Sequence, residues 1–306
     1  MEMNDLLQMA RVDKALQDED TAHLAINLNE VASKRLVPGL QVETEELDDG
    51  VAVDIVVEED VQIDRRVHLC FGVTGEQAVQ HIDMDVRLEP NASISVLSHC
   101  MFPRAVDVEH VMDARISVGE NASYRYDEKH IHSEEGGIAV YPSAEVELAP
   151  HARFATVFEL IQGRVGVLDI DYGITGREHS TLEMMSKVSG RHKDSIKINE
   201  RGDLVGEGAR GVLNSRVAVR DEATAEVYNK LRATAPYARG HVDCKEIIKD
   251  NGRATAIPIV EVSHPLAHVT HEAAIGSVDT KQLQTLMARG LDEDQATERI
   301  IEGLLS

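Results

Sequence analysis

Short runs rich in valine, isoleucine and leucine recur along this chain from Gln41 onward: Val51–Val57, Val67–Phe71, Ile94–Leu97, Ala155–Leu160, Leu168–Tyr172, Ile196–Ile198, Val217–Val219 and Ile257–Val262. Most are bounded by Gly, Asn, Asp or Pro, which is the pattern of short strands separated by turns. The turns themselves echo one another. Glu89-Pro90-Asn91-Ala92-Ser93 returns as Gly119-Glu120-Asn121-Ala122-Ser123 and again as Ala149-Pro150-His151-Ala152-Arg153, a step of 30 residues each time. Fainter echoes follow at Asp221-Glu222-Ala223-Thr224 and Asn251-Gly252-Arg253-Ala254. Each is a polar turn, a small residue and then a β run. Repeated units of this kind bury their open faces against their neighbours, so the pattern predicts a parallel β-helix, each repeat making one full coil or two short ones. An irregular sandwich with similar turns is the alternative. A left-handed hexapeptide coil is disfavoured, because its six-residue apolar period is missing.

The two ends of the chain have a different texture. Leu6, Leu7, Met9, Ala10, Val12, Ala15 and Leu16 approximate helical spacing over Asn4 to Gln17, and a second helical stretch is expected from Asp20 to Lys34, before Pro38-Gly39 breaks it. At the other end, Asp279 or Thr280 can cap a helix carrying Leu283, Leu286 and Met287, which Gly290 ends. Asp292 with Gln295 forms a capping-box pattern for a last helix carrying Ala296, Ile300, Ile301 and Leu304. The expected organisation is an N-terminal helical segment (1–40), a β-helix core (41–278) and a C-terminal helical hairpin (279–306). The apolar stripe of that hairpin must either pack on the solenoid or dock a partner.

Composition narrows the functions. The chain has 306 residues, 42% apolar, with no tryptophan and 3% aromatics, so its core must be filled by Val, Ile, Leu and Ala. A net charge of −23, from 31 basic and 54 acidic residues, repels phosphate backbones and anionic membranes, so neither nucleic acid nor membrane is an expected partner. Cys70, Cys100 and Cys244 are too few and too scattered for a disulfide framework, and no leader pattern is evident, which points to a reducing cytoplasm. The chain contains no phosphate-loop motif. Any ATP-driven step therefore needs a separate ATPase subunit.

The chemistry-bearing residues concentrate near the end. From Val260 to Gly276 the chain carries three histidines (His264, His268, His271) and two carboxylates (Glu261, Glu272), with Cys244 just upstream. Thiolate, imidazole and carboxylate together are the ligand types of an iron or zinc centre. On a strand, Gly240, Val242 and Cys244 share one face while His241 and Asp243 share the other, and Lys245 could favour a Cys244 thiolate. A buried, inert thiol is the plain alternative for Cys244. Ser98-His99-Cys100 and Lys129-His130-Ile131-His132 are weaker candidates. His99 and Cys100 point oppositely, while His130 and His132 share a face that is expected to be solvated. No G-x-S-x-G nucleophile elbow is present.

From Tyr228 to Ser306 the chain resembles the C-terminal region of the SufB/SufD family of iron–sulfur cluster assembly scaffolds. The resemblance rests on Cys244 in its strand, Pro258 with Val260-Glu261, Pro265-x-Ala267, His271-Glu272-Ala273, Gln282-Leu283, Arg289-Gly290-Leu291-Asp292-Glu293 and Ala296, with Ile301 and Gly303 near the end. The His-Glu-Ala and Arg-Gly-Leu steps are closer to SufB than to SufD, and the length suits a compact, archaeal-type member. The resemblance implies a right-handed parallel β-helix flanked by helices, dimerisation through the β-helix, and docking of a SufC-type ABC ATPase on the C-terminal hairpin. It implies a scaffold rather than an enzyme, and a transient iron–sulfur cluster contacted by Cys244, Glu272 and His271 from both protomers of a homodimer. A sulfur donor and apo-protein acceptors would be further partners. Two other functions compete: an ATPase-recruiting adaptor with no cluster of its own, and a β-helix polysaccharide-cleaving enzyme, which the scarcity of aromatic platforms disfavours.

Overall fold

A computed structural model describes residues 2–306. Two sheets face each other along the length of the molecule, one of ten strands and one of nine, and the chain alternates between them. The result is a parallel β-helix of about 8 coils. Its 30-residue sequence step is one full coil: Ser93, Ser123 and Arg153 stack in register on adjacent strands of the ten-stranded sheet. The next stacked positions are Thr181, Arg210, Arg239 and His268, so the step shortens to 28 residues once and then to 29.

The turns explain which residues recur. Asn91, Asn121, His151 and His179 occupy equivalent positions with φ between 53° and 61°, a left-handed conformation that asparagine tolerates well. They form a ladder of their own. Asn91 Nδ2 donates to Asp60 Oδ1 at 2.8 Å, Asn121 Nδ2 donates to Asn91 Oδ1 at 3.3 Å, and the His151 and His179 rings stack at 5.1 Å. The echoes at Asp221 and Asn251 belong to the opposite row of turns, where Asp221 and Asp250 take the left-handed conformation instead.

Alternation within each strand sends one set of side chains into the coil. Val53, Val57, Ile82, Leu88, Val96, Leu148, Ile170, Leu182, Val217 and Leu231 are among the residues of one continuous core between the sheets. Because valine, isoleucine and leucine fit a pleated surface and pack between strands of fixed spacing, stacking needs few large rings.

The ends differ from one another. Two helices, α1 (Met3–Met9) and α2 (Asp13–Gln17), close a second apolar cluster on the outside of the ten-stranded sheet, where Leu6, Leu7, Val12 and Leu16 meet Ala25, Cys70 and Met101. The helix expected over Asp20–Lys34 does not form. His23–Asn27 and Glu30–Arg35 are instead an antiparallel hairpin, and His23–Asn27 adds in parallel to Val67–Gly72. Leu24 and Ile26 enter the coil while Ala25 enters the helix-covered cluster. A strand buried on both faces has apolar residues in succession, which in sequence looks like a helix. A second antiparallel hairpin, Leu40–Glu46 with Gly50–Val57, closes the nine-stranded sheet at the same end.

At the far end the hairpin forms as its sequence signals foretell. In α3 (Thr280–Met287) the Asp279 side chain accepts from the Gln282 amide at 2.7 Å, and in α4 (Glu293–Leu305) Asp292 and Gln295 form a reciprocal capping box. Gly290 lies between them with φ 98°. Helix α4 packs Ile301 and Leu305 on Ala218, Ile161 and Ile247, and Arg220 pairs with Glu298. Helix α3 buries no residue, and Leu286, Ile300 and Leu304 line a groove with Ile247. No helix among the described residues is long and apolar enough to cross a membrane.

Inter-coil spacing leaves no room at some turns. A Cβ at Gly206 would lie 2.0 Å from the Arg177 backbone of the preceding coil, whereas one at Gly303 on α4 meets nothing within 4 Å. Gly206→Ala is expected to lower stability by about 1–3 kcal/mol. Gly303→Ala is expected to raise it by up to about 1 kcal/mol through helix propensity. Thermal melts of both variants check the pair.

Candidate functional site

Cys244 lies on the penultimate strand of the ten-stranded sheet, Arg239–Ile248, and is completely buried. Alternation places Val242, Cys244 and Glu246 inside the coil and His241, Asp243 and Lys245 outside, as sequence parity requires. Coil stacking then builds a polar column inside the coil. Ser186, Ser215 and Cys244 are register partners on three successive strands, and across the coil Glu200 and Asn229 are another such pair. Ser186 Oγ donates to Glu200 Oε1 at 2.5 Å, and Ser215 Oγ donates to Glu246 Oε1 at 3.4 Å. The Asn229 amide is best satisfied with its nitrogen donating to Glu200 Oε2 (3.2 Å) and to the Tyr228 carbonyl (3.1 Å). Its oxygen then faces Cys244 Sγ at the 3.6 Å separation and accepts from the thiol.

These neighbours set the protonation states. Burial pushes the Cys244 thiol above its ordinary value, and the Glu246 and Glu200 carboxyls push the same way, against a hydrogen bond from Ser215. Burial also raises Glu200 and Glu246 to about 7, opposed by hydrogen bonds from Ser186 and Ser215 respectively. Cys244 is therefore a protonated, sheltered thiol. Lys245 does not make it a thiolate, contrary to expectation: it points outward, with Nζ 3.2 Å from Asp243 Oδ2. Asp243, also bonded by Arg216, stays below the ordinary aspartate value despite burial.

The histidine-rich run is not one extended strand. A turn at residues 263–267 divides it, so Arg253–Val262 belongs to one sheet and His268–Gly276 to the other. His264 sits in that turn, its Nδ1 accepting from the Leu266 amide at 3.2 Å, and His268 pairs in register with Arg239 on the outer face. On the terminal strand His271 pairs with Val242, Glu272 with Asp243 and Ala273 with Cys244. Cys244 and His271 therefore share the inner face, offset by two register pairs along the strands, while Glu272 lies on the outer face beside Asp243. One protomer brings two of the three expected ligands to one side and the third to the other. Both His271 and Glu272 are exposed.

Sequence reasoning missed Glu200, Asn229, Ser215 and Glu246. The signal lies in the 29-residue step that aligns Ser186, Ser215 and Cys244, which differs from the 30-residue step on which the repeat stands out in the sequence. The weaker candidates also come out differently. His130 and His132 are not on a solvated face; both are buried inside the coil, as is Cys100. His99 points the other way, under the outer surface, stacked on His68 at 5.8 Å.

A polar column ending in a cysteine, inside a parallel β-helix with a capped helical hairpin behind it, has a counterpart among known proteins. The family model for the SUF system FeS cluster assembly SufBD core domain matches residues 71–304. The chain belongs to the SufBD family. It is 40% identical to an iron–sulfur cluster assembly SufBD family protein of Methanocaldococcus jannaschii over 87% of this chain and 84% of the relative. It is 35% identical to one of Pyrococcus horikoshii over 96% and 90% of the two chains. A longer SufBD family protein of Pyrococcus horikoshii matches at 25% identity over 82% of this chain and 56% of its own length. The matched SufBD core runs from the first full coils through Cys244, the terminal strand and α4.

The raised carboxyls make this end of the SufBD core pH-sensitive. A carboxyl that holds its proton more tightly when folded contributes stability in full below about pH 4.5, and that contribution is lost as pH rises through about 7. Glu200→Gln removes the penalty of ionising a buried group. Its stability is expected to exceed the parent's at pH 8, by an amount on the order of 2–3 kcal/mol, and to match it at pH 4.5. Melts across that range check the sign.

Proposed function

We propose that this SufBD-family chain is a scaffold on which a nascent iron–sulfur cluster is built at the interface of a homodimer, using ATP hydrolysed by a SufC-type ABC ATPase. The observation that carries the reading is the placement of Cys244 directly behind an exposed terminal strand, with His271 on its face of the sheet. That strand, His268–Gly276, has a strand neighbour on only one side among the described residues, and Ile259, Val262, Leu266 and Ile275 around it are exposed. A sheet edge with apolar residues beside it is suited to pairing with a second copy. Pairing two such ends sets the Glu272 of one protomer near the Cys244 and His271 face of the other, which a single chain does not achieve.

The cluster is the cargo, and the residues act on its components. Cys244 must lose its proton to bind iron or accept sulfur. Ser215, bonded to Glu246, gives that proton a route to a carboxyl whose affinity matches neutral pH. Because Cys244 is buried in the resting chain, loading requires the terminal strand to move. Closure of the ATPase pair, docked through the groove lined by Leu286, Ile300 and Leu304, supplies that motion, provided the scaffold has two arrangements that the ATPase contacts distinguish. Sulfur arrives from a donor as persulfide or sulfide, and the finished cluster leaves to an apo-protein. The complete burial of Cys244 also favours one other reading, an ATPase-recruiting adaptor with no cluster.

Anaerobic co-expression with a SufC-type ATPase decides between them. The purified complex is expected to be brown, with iron and sulfide that fall at least tenfold in Cys244→Ala while the ATPase stays bound. A colourless complex of normal stoichiometry contradicts the scaffold and supports the adaptor. In the same preparations Leu286→Asp with Leu304→Asp is expected to abolish ATPase co-purification without lowering the melting temperature by more than a few degrees, since neither residue is buried.

A further inference from the structure

We propose that the coil interior holds a second metal site, for a single divalent first-row ion, formed by Cys100, Glu128 and His130. It is separate from the cluster site and does not depend on it. The three residues are 0%, 1% and 2% exposed, and their ligand atoms all lie within 4.8 Å of one another. Cys100 and His130 are register partners on adjacent strands, and Glu128 precedes His130 by two residues on the same inner face. His130 Nε2 is 2.6 Å from Glu128 Oε1, and Cys100 Sγ is 3.6 Å from the same oxygen.

The surrounding hydrogen bonds fix which atoms face the centre. His132 Nδ1 lies 3.1 Å from the Arg164 carbonyl and can only donate to it. A neutral imidazole whose Nδ1 donates there presents its Nε2 as an acceptor. His130 Nδ1, 3.1 Å from that nitrogen, must then donate. In a neutral His130 this leaves the Nε2 lone pair aimed at a carboxylate oxygen, with a thiol beside it. Two acceptors 2.6 Å apart repel unless a proton lies between them or one cation binds both. Backing a ring nitrogen with a relay that ends on a backbone carbonyl is the way proteins orient metal-binding histidines. Tyr172 donates to the other Glu128 oxygen at 3.4 Å and holds the carboxylate in place.

Charge and donor type select the ion. A thiolate, a carboxylate and a neutral imidazole carry two negative charges, so a divalent ion makes the group neutral, as a dry interior requires. Phe71 and Phe158, with Leu160, occupy the register positions beside Cys100, Glu128 and His130 on the flanking coils, and the Phe158 ring sits 4.7 Å from His130. Sulfur, nitrogen and oxygen donors together suit zinc(II) or iron(II) and not calcium or magnesium. With no exposed atom to give access, the ion enters as the coils assemble.

The test uses the full chain carrying Cys244→Ala, so that no cluster iron confuses the count. It is expressed with added zinc or iron, purified anaerobically and analysed by mass spectrometry of elements. About one divalent ion per chain is expected, with zinc and iron told apart by the same measurement, falling at least tenfold on adding Cys100→Ala or the near-isosteric Glu128→Gln. Occupancy below about a tenth in the parent, or unchanged in both variants, overturns the site. Should the variants not fold, the Cys244→Ala chain expressed with cobalt(II) gives the answer. A near-ultraviolet thiolate-to-cobalt band supports the site, since Cys70, the other remaining thiol, lies outside the coil. Lack of that band refutes it.

Discussion

Everything in this molecule depends on the parallel hydrogen-bonded register between coils. Each strand repeats the position of the strand one coil earlier, so a residue that faces inward has inward neighbours at a fixed step. That constraint builds the continuous aliphatic core, because every coil must offer apolar side chains at the same places. The same constraint builds the site. Once Ser186 points inward, Ser215 and Cys244 must follow, and the polar groups accumulate as a column rather than as an isolated cysteine. It also forbids Glu272 from joining Cys244 within one chain, since the residue after His271 faces the other side.

Much of the fold is legible in the sequence, for physical reasons that can be named. Left-handed turn positions favour asparagine, aspartate or glycine, and that preference makes Asn91 and Asn121 stand out at equal spacing. The C-terminal hairpin was legible because capping is local: Asp279, Asp292 and Gln295 act within one helical turn. Where the outcome depended on distant contacts, sequence failed. His23–Asn27 becomes a strand because Val67–Gly72 offers it a partner and the N-terminal helices cover its other face. Nothing within residues 20–34 carries that information.

The candidate site was legible in part. Cys244 and His271 were identified and share a face, whereas Lys245, His264 and His268 turned out to lie elsewhere. Of the carboxyls that set the state of Cys244, Glu200 is not legible because it is 44 residues away along the chain and reaches the site only through coil stacking and Asn229. His130 and His132 were misjudged for a related reason. A histidine pair on a strand looks solvated unless the relay to the Arg164 carbonyl is known.

The central claim is that the open end of the coil stack is completed by a second copy. Hydrogen exchange of the chain, compared between dilute and concentrated solution, tests it directly. The amides of the terminal strand, His268–Gly276, are expected to gain protection with concentration while the interior strands are unchanged. Protection confined to the N-terminal hairpins, or a freely exchanging terminal strand in a chain of dimeric mass, would contradict it.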